Sequence, residues 1–214
     1  MGDEQVILKE IFGYDSFRPG QGELVDAILS GHDVLGIMPT GAGKSICYQV
    51  PALCMNGITL VVSPLISLMK DQVESLVQAG VAAAYLNSSL TPGQQRTVLA
   101  RAAEGRYKIM YVAPERLNTD SFLRWACSAP IDMVTVDEAH CISQWGKDFR
   151  PGYLGIADFL HALPERPLVS AFTATATDRV RQDIVSALEL QDAKVLVTGF
   201  DRPNLYFEVR RPKS

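Results

Sequence analysis

Lys44 and Ser45 follow Gly41 and Gly43 directly after the apolar run 34–38. Two glycines so close let the backbone turn sharply and aim successive N–H groups at one point. Thr40, Gly41, Ala42 and Gly43 would form a loop that opens into a helix at Lys44, whose amino end adds partial positive charge. That arrangement is a cradle for phosphate. Lys44 would reach the β- and γ-phosphates of a nucleotide, and the Ser45 hydroxyl would hold Mg²⁺. The strict pattern GxxxxGK[ST] has glycine where this chain has Met38. The assignment therefore rests on the strand, turn and helix context, against the plainer reading of a glycine-rich turn with a solvated lysine. Asp137 and Glu138 form a second chemical pair at the end of the apolar run 133–136. Asp137 would hold Mg²⁺ through its water shell, and Glu138 would orient or deprotonate an attacking water. His140 by itself reads as a structural hydrogen-bonder or as a participant in the chemistry.

These residues work together only if the fold brings them to one place. Short apolar runs at 34–38, 59–63, 82–86, 109–112, 133–136, 168–172 and 195–198 read as strands. Several are continuously apolar, as strands buried on both faces of a parallel sheet are. Helical patterns separate them. Thr91, Pro92 and Gln94 have the form of a capping box with proline at the first helical position. Val98, Leu99 and Ala102 follow on one face, and Gly105 ends that segment. Leu68, Gln72, Val73, Leu76 and Val77 mark another helix, closed by Gly80, and Asp178 would cap a third with Val180, Ile184, Val185 and Leu188 facing inward. The alternation predicts an α/β fold, an open and mostly parallel sheet with helices on both faces. Loops at the carboxyl ends of such strands bind ligands.

The 214 residues are 47% hydrophobic and 21% charged, which excludes a disordered or low-complexity chain. No run approaches the roughly eighteen apolar residues of a membrane span, and no signal-peptide pattern opens the sequence, so no membrane partner is expected. Cys47, Cys54, Cys127 and Cys141 form no CxxC pair and no zinc pattern. They read as reduced thiols of a cytoplasmic protein, with Cys47 and Cys54 acting as small buried hydrophobes. Twenty Lys and Arg stand against twenty-four Asp and Glu, a net charge of -4. Charge alone would argue against a nucleic-acid binder.

Taken with their surroundings, the two motifs resemble the RecQ family of superfamily-two DNA helicases. The run 12–21, FGYDSFRPGQ, is similar to the family's adenine-recognition motif, 62–72, VSPLISLMKDQ, to its motif Ia, and 111–117, YVAPERL, to its motif Ib. The stretch from Asp137 through Gln144 and Trp145 to Phe149, Arg150 and Pro151 resembles the DEAH box with its aromatic-rich loop. The run 172–176, FTATA, resembles motif III, and 200–204, FDRPN, resembles the segment leading to a second motor domain. The fold implied is a RecA-like phosphate-loop domain over residues 1–200, with 201–214 as a connector.

The resemblance implies ATP and Mg²⁺ as cofactors and DNA as a partner. A glutamine amide offers a donor and an acceptor side by side, which fits an adenine edge. Gln21 would read the base, Arg18 would assist, and Tyr14 would stack on the ring; Phe17 reads as core. Trp145 and Phe149, beside Lys147 and Arg150, would stack bases and meet phosphates in a loop that senses single-stranded DNA. The alternative for Trp145 is a core anchor, and core packing is expected for Trp125. Thr173 and Thr175 would relay nucleotide state, or simply satisfy a strand end. Ser63, Lys70 and Arg116 would contact the phosphate backbone. Arg116 could equally be a solvated charge or an internal ion-pair partner.

Helicases of this kind need two motor domains, with ATP between them and arginines from the second stabilising charge on the γ-phosphate. The chain is therefore expected to be a monomeric first motor domain that neither unwinds DNA nor hydrolyses ATP briskly alone. It would work in the cytoplasm, at the nucleoid of a bacterium or in a eukaryotic nucleus. A phosphate-loop ATPase with no nucleic-acid role is the competing reading.

Overall fold

A strand covered by helices on both faces has no side to leave polar, and the seven apolar runs behave accordingly. In the computed structural model, which describes residues 2–146 and 148–199, they form one parallel sheet. The chain runs α1 (Asp3–Glu10), α2 (Gln21–Leu29), β1 (Val34–Ile37), α3 (Lys44–Cys54), β2 (Ile58–Val62), α4 (Ile66–Gln78), β3 (Ala83–Leu86) and α5 (Pro92–Ala103). It continues through β4 (Ile109–Val112), α6 (Asp120–Ala126), β5 (Ile131–Val136), α7 (Gly155–Ala162), β6 (Leu168–Thr173), α8 (Asp178–Ala187) and β7 (Lys194–Val197). The strand order is β3-β4-β2-β5-β6-β1-β7. Lys147, the 200–204 motif and the expected connector 201–214 lie outside the described residues.

Alternation along the strands divides the core between two faces. Leu35, Leu60, Val62, Val134 and Val136 point one way, onto Phe122 of α6, Phe159 of α7 and Ile184 of α8. Val34, Val61, Met133 and Phe172 point the other way, onto Leu24 of α2, Tyr48 of α3 and Met69 of α4. Central strands such as β2 are buried at every position, whereas the edge strand β7 is largely exposed. Gly36 has no side chain for a packing reason, because a Cβ there would sit 2.8 Å from the Phe172 ring.

The helix signals are read with one correction. Thr91 and Gln94 make the reciprocal capping box. Gly80, at φ +82°, closes α4. The cap of α8 is Thr177, whose hydroxyl accepts from the Val180 N–H at 3.3 Å, while Asp178 occupies the first helical position. Either oxygen-bearing side chain could serve as the cap, and the chain turns one residue earlier than expected. Trp125 is core, with its ring 5.2 Å from Phe122, and Cys47 is buried while Cys54 is half-buried. Among the described residues no helix is long and apolar enough to cross a membrane.

The amino edge of the sheet is tied by one buried carboxylate. Asp33 is 3% exposed and accepts from Arg166 Nη2 at 2.6 Å, the Val169 N–H at 2.8 Å and the Gln191 N–H at 2.7 Å. Its own carbonyl accepts from the Lys194 N–H at 2.8 Å. One residue thus joins the starts of β1, β6 and β7. Removing one member of such a group strands the others without partners, at a cost of about 3–5 kcal/mol. Asp33→Ala is expected to lower the unfolding free energy by that amount, read from the midpoint of a urea titration.

Candidate nucleotide-binding site

Strand register sets the site level. Ile37 pairs with Thr173, and Val136 pairs with both Ala171 and Val62. The segments that leave β1, β5 and β6 therefore emerge along one edge. The phosphate loop leaves β1, the acidic pair leaves β5, and Thr173 ends β6.

Gly41 and Gly43 adopt φ of +83° and +80°, in the left-handed region that favours glycine. Helix α3 starts at Lys44, as expected. Its first turn leaves N–H groups without helical partners. Lys44 Nζ donates to the Met38 carbonyl at 3.3 Å. The Met38 side chain is buried against Cys47 Sγ at 3.7 Å, so this position contributes a carbonyl to the loop and a thioether to the core. That double use accommodates methionine where the strict pattern has glycine.

A cleft of about 570 Å³ opens beside the loop. Tyr14, Arg18, Gln21, Thr40, Gly41, Gly43, Lys44, Ser45, Asp137 and Glu138 all line it. Ala42 does not, and supplies a carbonyl instead. Tyr14 is exposed at the mouth, with the Arg18 guanidinium 6.0 Å from its ring centre, while Phe17 packs on the small cluster around Leu8 and Val50.

Gln21 lies between the cleft and the phosphate loop. It is buried, its Oε1 accepts from the Arg18 N–H at 2.8 Å, and its Nε2 donates to the carbonyls of Ala42 and Gly43 at 3.1 and 3.0 Å. Arg18 Nη1 donates to the Gly41 carbonyl at 2.8 Å. In this structure the amide braces the phosphate loop: Gln21 and Arg18 together donate to the carbonyls of Gly41, Ala42 and Gly43, the last of which also accepts from the Ile46 N–H at 3.1 Å.

The acidic pair is electrostatically split. Asp137 is buried, its N–H donates to the Val62 carbonyl at 2.9 Å, and its Oδ1 accepts from the Glu138 N–H at 3.0 Å. Burial and then the Glu138 charge push its carboxyl up to about 6. Glu138 sits at φ +48°, a strained conformation for a side-chain-bearing residue. Its hydrogen bond with His140 holds its carboxyl below the usual range. The Cys141 thiol at 3.9 Å and the Glu138 carboxylate at 3.3 Å push His140 up to about 9. His140 Nδ1, the same nitrogen that faces Glu138, lies 2.8 Å from the Thr173 hydroxyl, and that hydroxyl donates to the Thr175 carbonyl at 3.2 Å. The chain Glu138–His140–Thr173 gives His140 and Thr173 a joint place.

Two groups escaped the sequence reading. Tyr153 is buried, and its hydroxyl donates to the Asp137 carbonyl at 2.8 Å. A tyrosine shortly after an acidic motif signals such a bond only once its burial is known. Gln49 of α3 donates to Gln72 of α4 at 3.1 Å and to the Tyr111 hydroxyl at 3.0 Å, and Tyr48 and Tyr111 share a bond of 3.2 Å. Glutamine within the otherwise apolar stretch 46–53 was the available clue.

The expected DNA residues differ in burial and in partners. Ser63 is fully buried with its hydroxyl unpartnered, so its position at a sheltered strand end removes it as a surface contact. Lys70 is exposed and pairs with Glu74 at 3.7 Å. Arg116 is half-buried and donates to Gln95 at 3.4 Å, an internal role. Arg150 pairs with Asp148 at 2.9 Å and donates to the Pro64 carbonyl at 3.0 Å, tying the aromatic loop to the start of α4. Gln144 and Thr175 are exposed and Phe149 is half-buried. Trp145 is 64% exposed, which excludes the core-anchor reading.

A parallel sheet with a phosphate loop after β1 and an acidic pair after β5 defines a RecA-like nucleotide-binding domain. The chain belongs to the DEAD/DEAH box helicase family, whose model matches residues 18–184. It is 50% identical over 201 residues to the ATP-dependent DNA helicase RecQ of Pasteurella multocida, covering 94% of this chain and 32% of that protein. It is 47% identical over 206 residues to the RecQ helicase of Bacillus subtilis, covering 96% and 35%. The chain thus spans about a third of the length of these relatives. A crystal structure of a hypothetical ATP-dependent RNA helicase from Sulfolobus tokodaii shares the fold with a TM-score of 0.71 at 20% identity, covering 92% of this chain and 57% of that one.

The raised Asp137 carboxyl gives a pH signature. Above about 6 the native state holds a costly buried charge; below it, native Asp137 takes up a proton while the unfolded residue waits until about 3.8. Native stability relative to Asp137→Asn is therefore expected to rise as pH falls from 6 toward 4, by on the order of 2 kcal/mol at 1.36 kcal/mol per unit. Urea titrations of both proteins in chelator across that window would show it; parallel pH profiles would contradict it.

Proposed function

We propose that this chain is the ATP-binding motor domain of a RecQ-like, ATP-dependent DNA helicase. The observation that carries the reading is the meeting of Lys44, Ser45, Asp137 and Glu138 on one cleft wall, with Trp145 exposed on the loop that continues from the acidic pair. The nucleotide phosphates would lie on the phosphate loop. Lys44 would exchange the Met38 carbonyl for the β- and γ-phosphates.

The donor set fits Mg²⁺. Asp137 and Ser45 offer hard oxygens on the same cleft, and the Asp137 carboxylate lacks a cationic side-chain partner of hydrogen-bonding type among the described residues. No cluster of three acidic, histidine or cysteine side chains able to hold a metal occurs among the described residues, as suits an ion that keeps waters and shares the phosphates. When bound, the ion would neutralise charge on the phosphates. Glu138, held ionised by His140, is the group available to orient water and accept its proton.

Brisk hydrolysis and strand separation are proposed for the longer protein, in which a second motor domain closes the cleft and supplies arginine. DNA is the proposed partner, met by the aromatic loop more than by net charge, and work at genomic DNA is the corresponding location. The pairing of Lys70 and Arg150 with acids favours the alternative, an ATPase without a nucleic-acid role. The exposed indole of Trp145 favours DNA.

Lys44→Ala is expected to weaken binding of a fluorescent ATP analogue with Mg²⁺ at least tenfold, about 1.4 kcal/mol, while leaving the unfolding midpoint nearly unchanged. Equal affinity in that variant would refute the phosphate-loop assignment. A change in the Trp145 signal on adding oligothymidylate separates the DNA reading from its alternative.

A further inference from the structure

Helix α8 presents two side chains that nucleotide binding does not use. The Arg179 guanidinium lies over the Trp145 ring, 3.8 Å from its centre. One turn further on, Asp183 Oδ2 accepts from Ser143 Oγ at 2.5 Å, and Ser143 Oγ accepts from the Trp145 N–H at 3.1 Å. Residues four apart lie on one helix face. A single face of α8 therefore holds Trp145 at two points, the indole through Arg179 and the backbone through Asp183 and Ser143. Helix α8 is itself joined to the site, since β6 ends at Thr173 and Thr177 caps the helix four residues later.

Trp145 is nevertheless 64% exposed as a residue. Arg179 covers one ring face and leaves the rest open to solvent. A planar guanidinium fits flat against an indole, which a compact ammonium does less well. An aromatic ring fixed before its ligand arrives loses less freedom on binding than a mobile one.

We propose that Arg179 and Asp183 are positioning residues that preset Trp145 as a stacking platform for a base of single-stranded DNA. The base takes the open face and Arg179 backs the other. The ligand rests on the DNA reading above, whereas the two-point grip does not.

The test uses the 214-residue chain with Trp125→Phe, so that Trp145 is the sole tryptophan. If that change disturbs the fold, the same comparisons are made by fluorine NMR on the unsubstituted chain labelled with 5-fluorotryptophan. Without DNA, Arg179→Ala and Asp183→Asn are each expected to raise acrylamide quenching of Trp145 and lower its anisotropy, with Arg179→Lys intermediate. Unchanged mobility in both overturns the grip. On titration with oligothymidylate, Arg179→Ala is expected to bind about two- to fivefold more weakly, the size of an exposed cation–π contact. Equal or tighter binding overturns the platform and shows that Arg179 competes for the ring. If the parent chain gives no response to DNA while the mobility differences stand, the DNA reading fails and the grip survives.

Discussion

A parallel sheet delivers all its strand ends of one kind to one edge, and everything chemical in this protein depends on that. The pairings of Ile37 with Thr173 and of Val136 with Ala171 and Val62 set the tips of β1, β2, β5 and β6 level. Loops that are far apart in sequence then need only a few residues to converge. The phosphate loop requires two left-handed glycines and a helix start, and the acidic pair requires no more than the turn that follows β5. The precision resides in the ladder beneath them, whose strands are fixed by burial on both faces.

The acidic site shows how little machinery is needed to give neighbouring groups different charge states. Asp137 and Glu138 are adjacent in sequence, yet one carboxyl is pushed up and the other held down. Burial governs the first, and a hydrogen bond from His140 governs the second. The left-handed backbone at Glu138 makes the division possible by turning consecutive side chains into unlike surroundings. Thr173 then fixes the histidine from a different strand.

The sheet and its helices were legible because both-face burial leaves a continuous apolar run that no other element explains so well. The phosphate loop and the acidic pair were legible because glycine spacing and strand context are local. What escaped depends on partners distant in sequence. Gln21 has the chemistry to read a base, and only the position of the carbonyls of Ala42 and Gly43 shows where its donors go. Trp145 was open to two readings, a stacking surface or a core anchor, and its exposure excludes the second. Ser63 sits in a motif expected to touch DNA, yet its strand end is covered. Tyr153 and the Gln49–Gln72–Tyr111 group are bonds between elements, and no single segment contains them.

The two edges of the sheet carry opposite kinds of thermodynamic burden. At the amino edge Asp33 gathers four backbone and side-chain donors, counting both Arg166 nitrogens, into a fully satisfied knot. At the carboxyl edge stand a left-handed glutamate, a buried acid with a raised pKa and an orphaned Ser63 hydroxyl. Substitution tolerance should divide along the same axis. Changes at the knot would deplete the amount of folded protein in a cell and leave each surviving molecule competent. Changes at the opposite edge would leave abundance intact, or even raise it, and silence the molecules that remain.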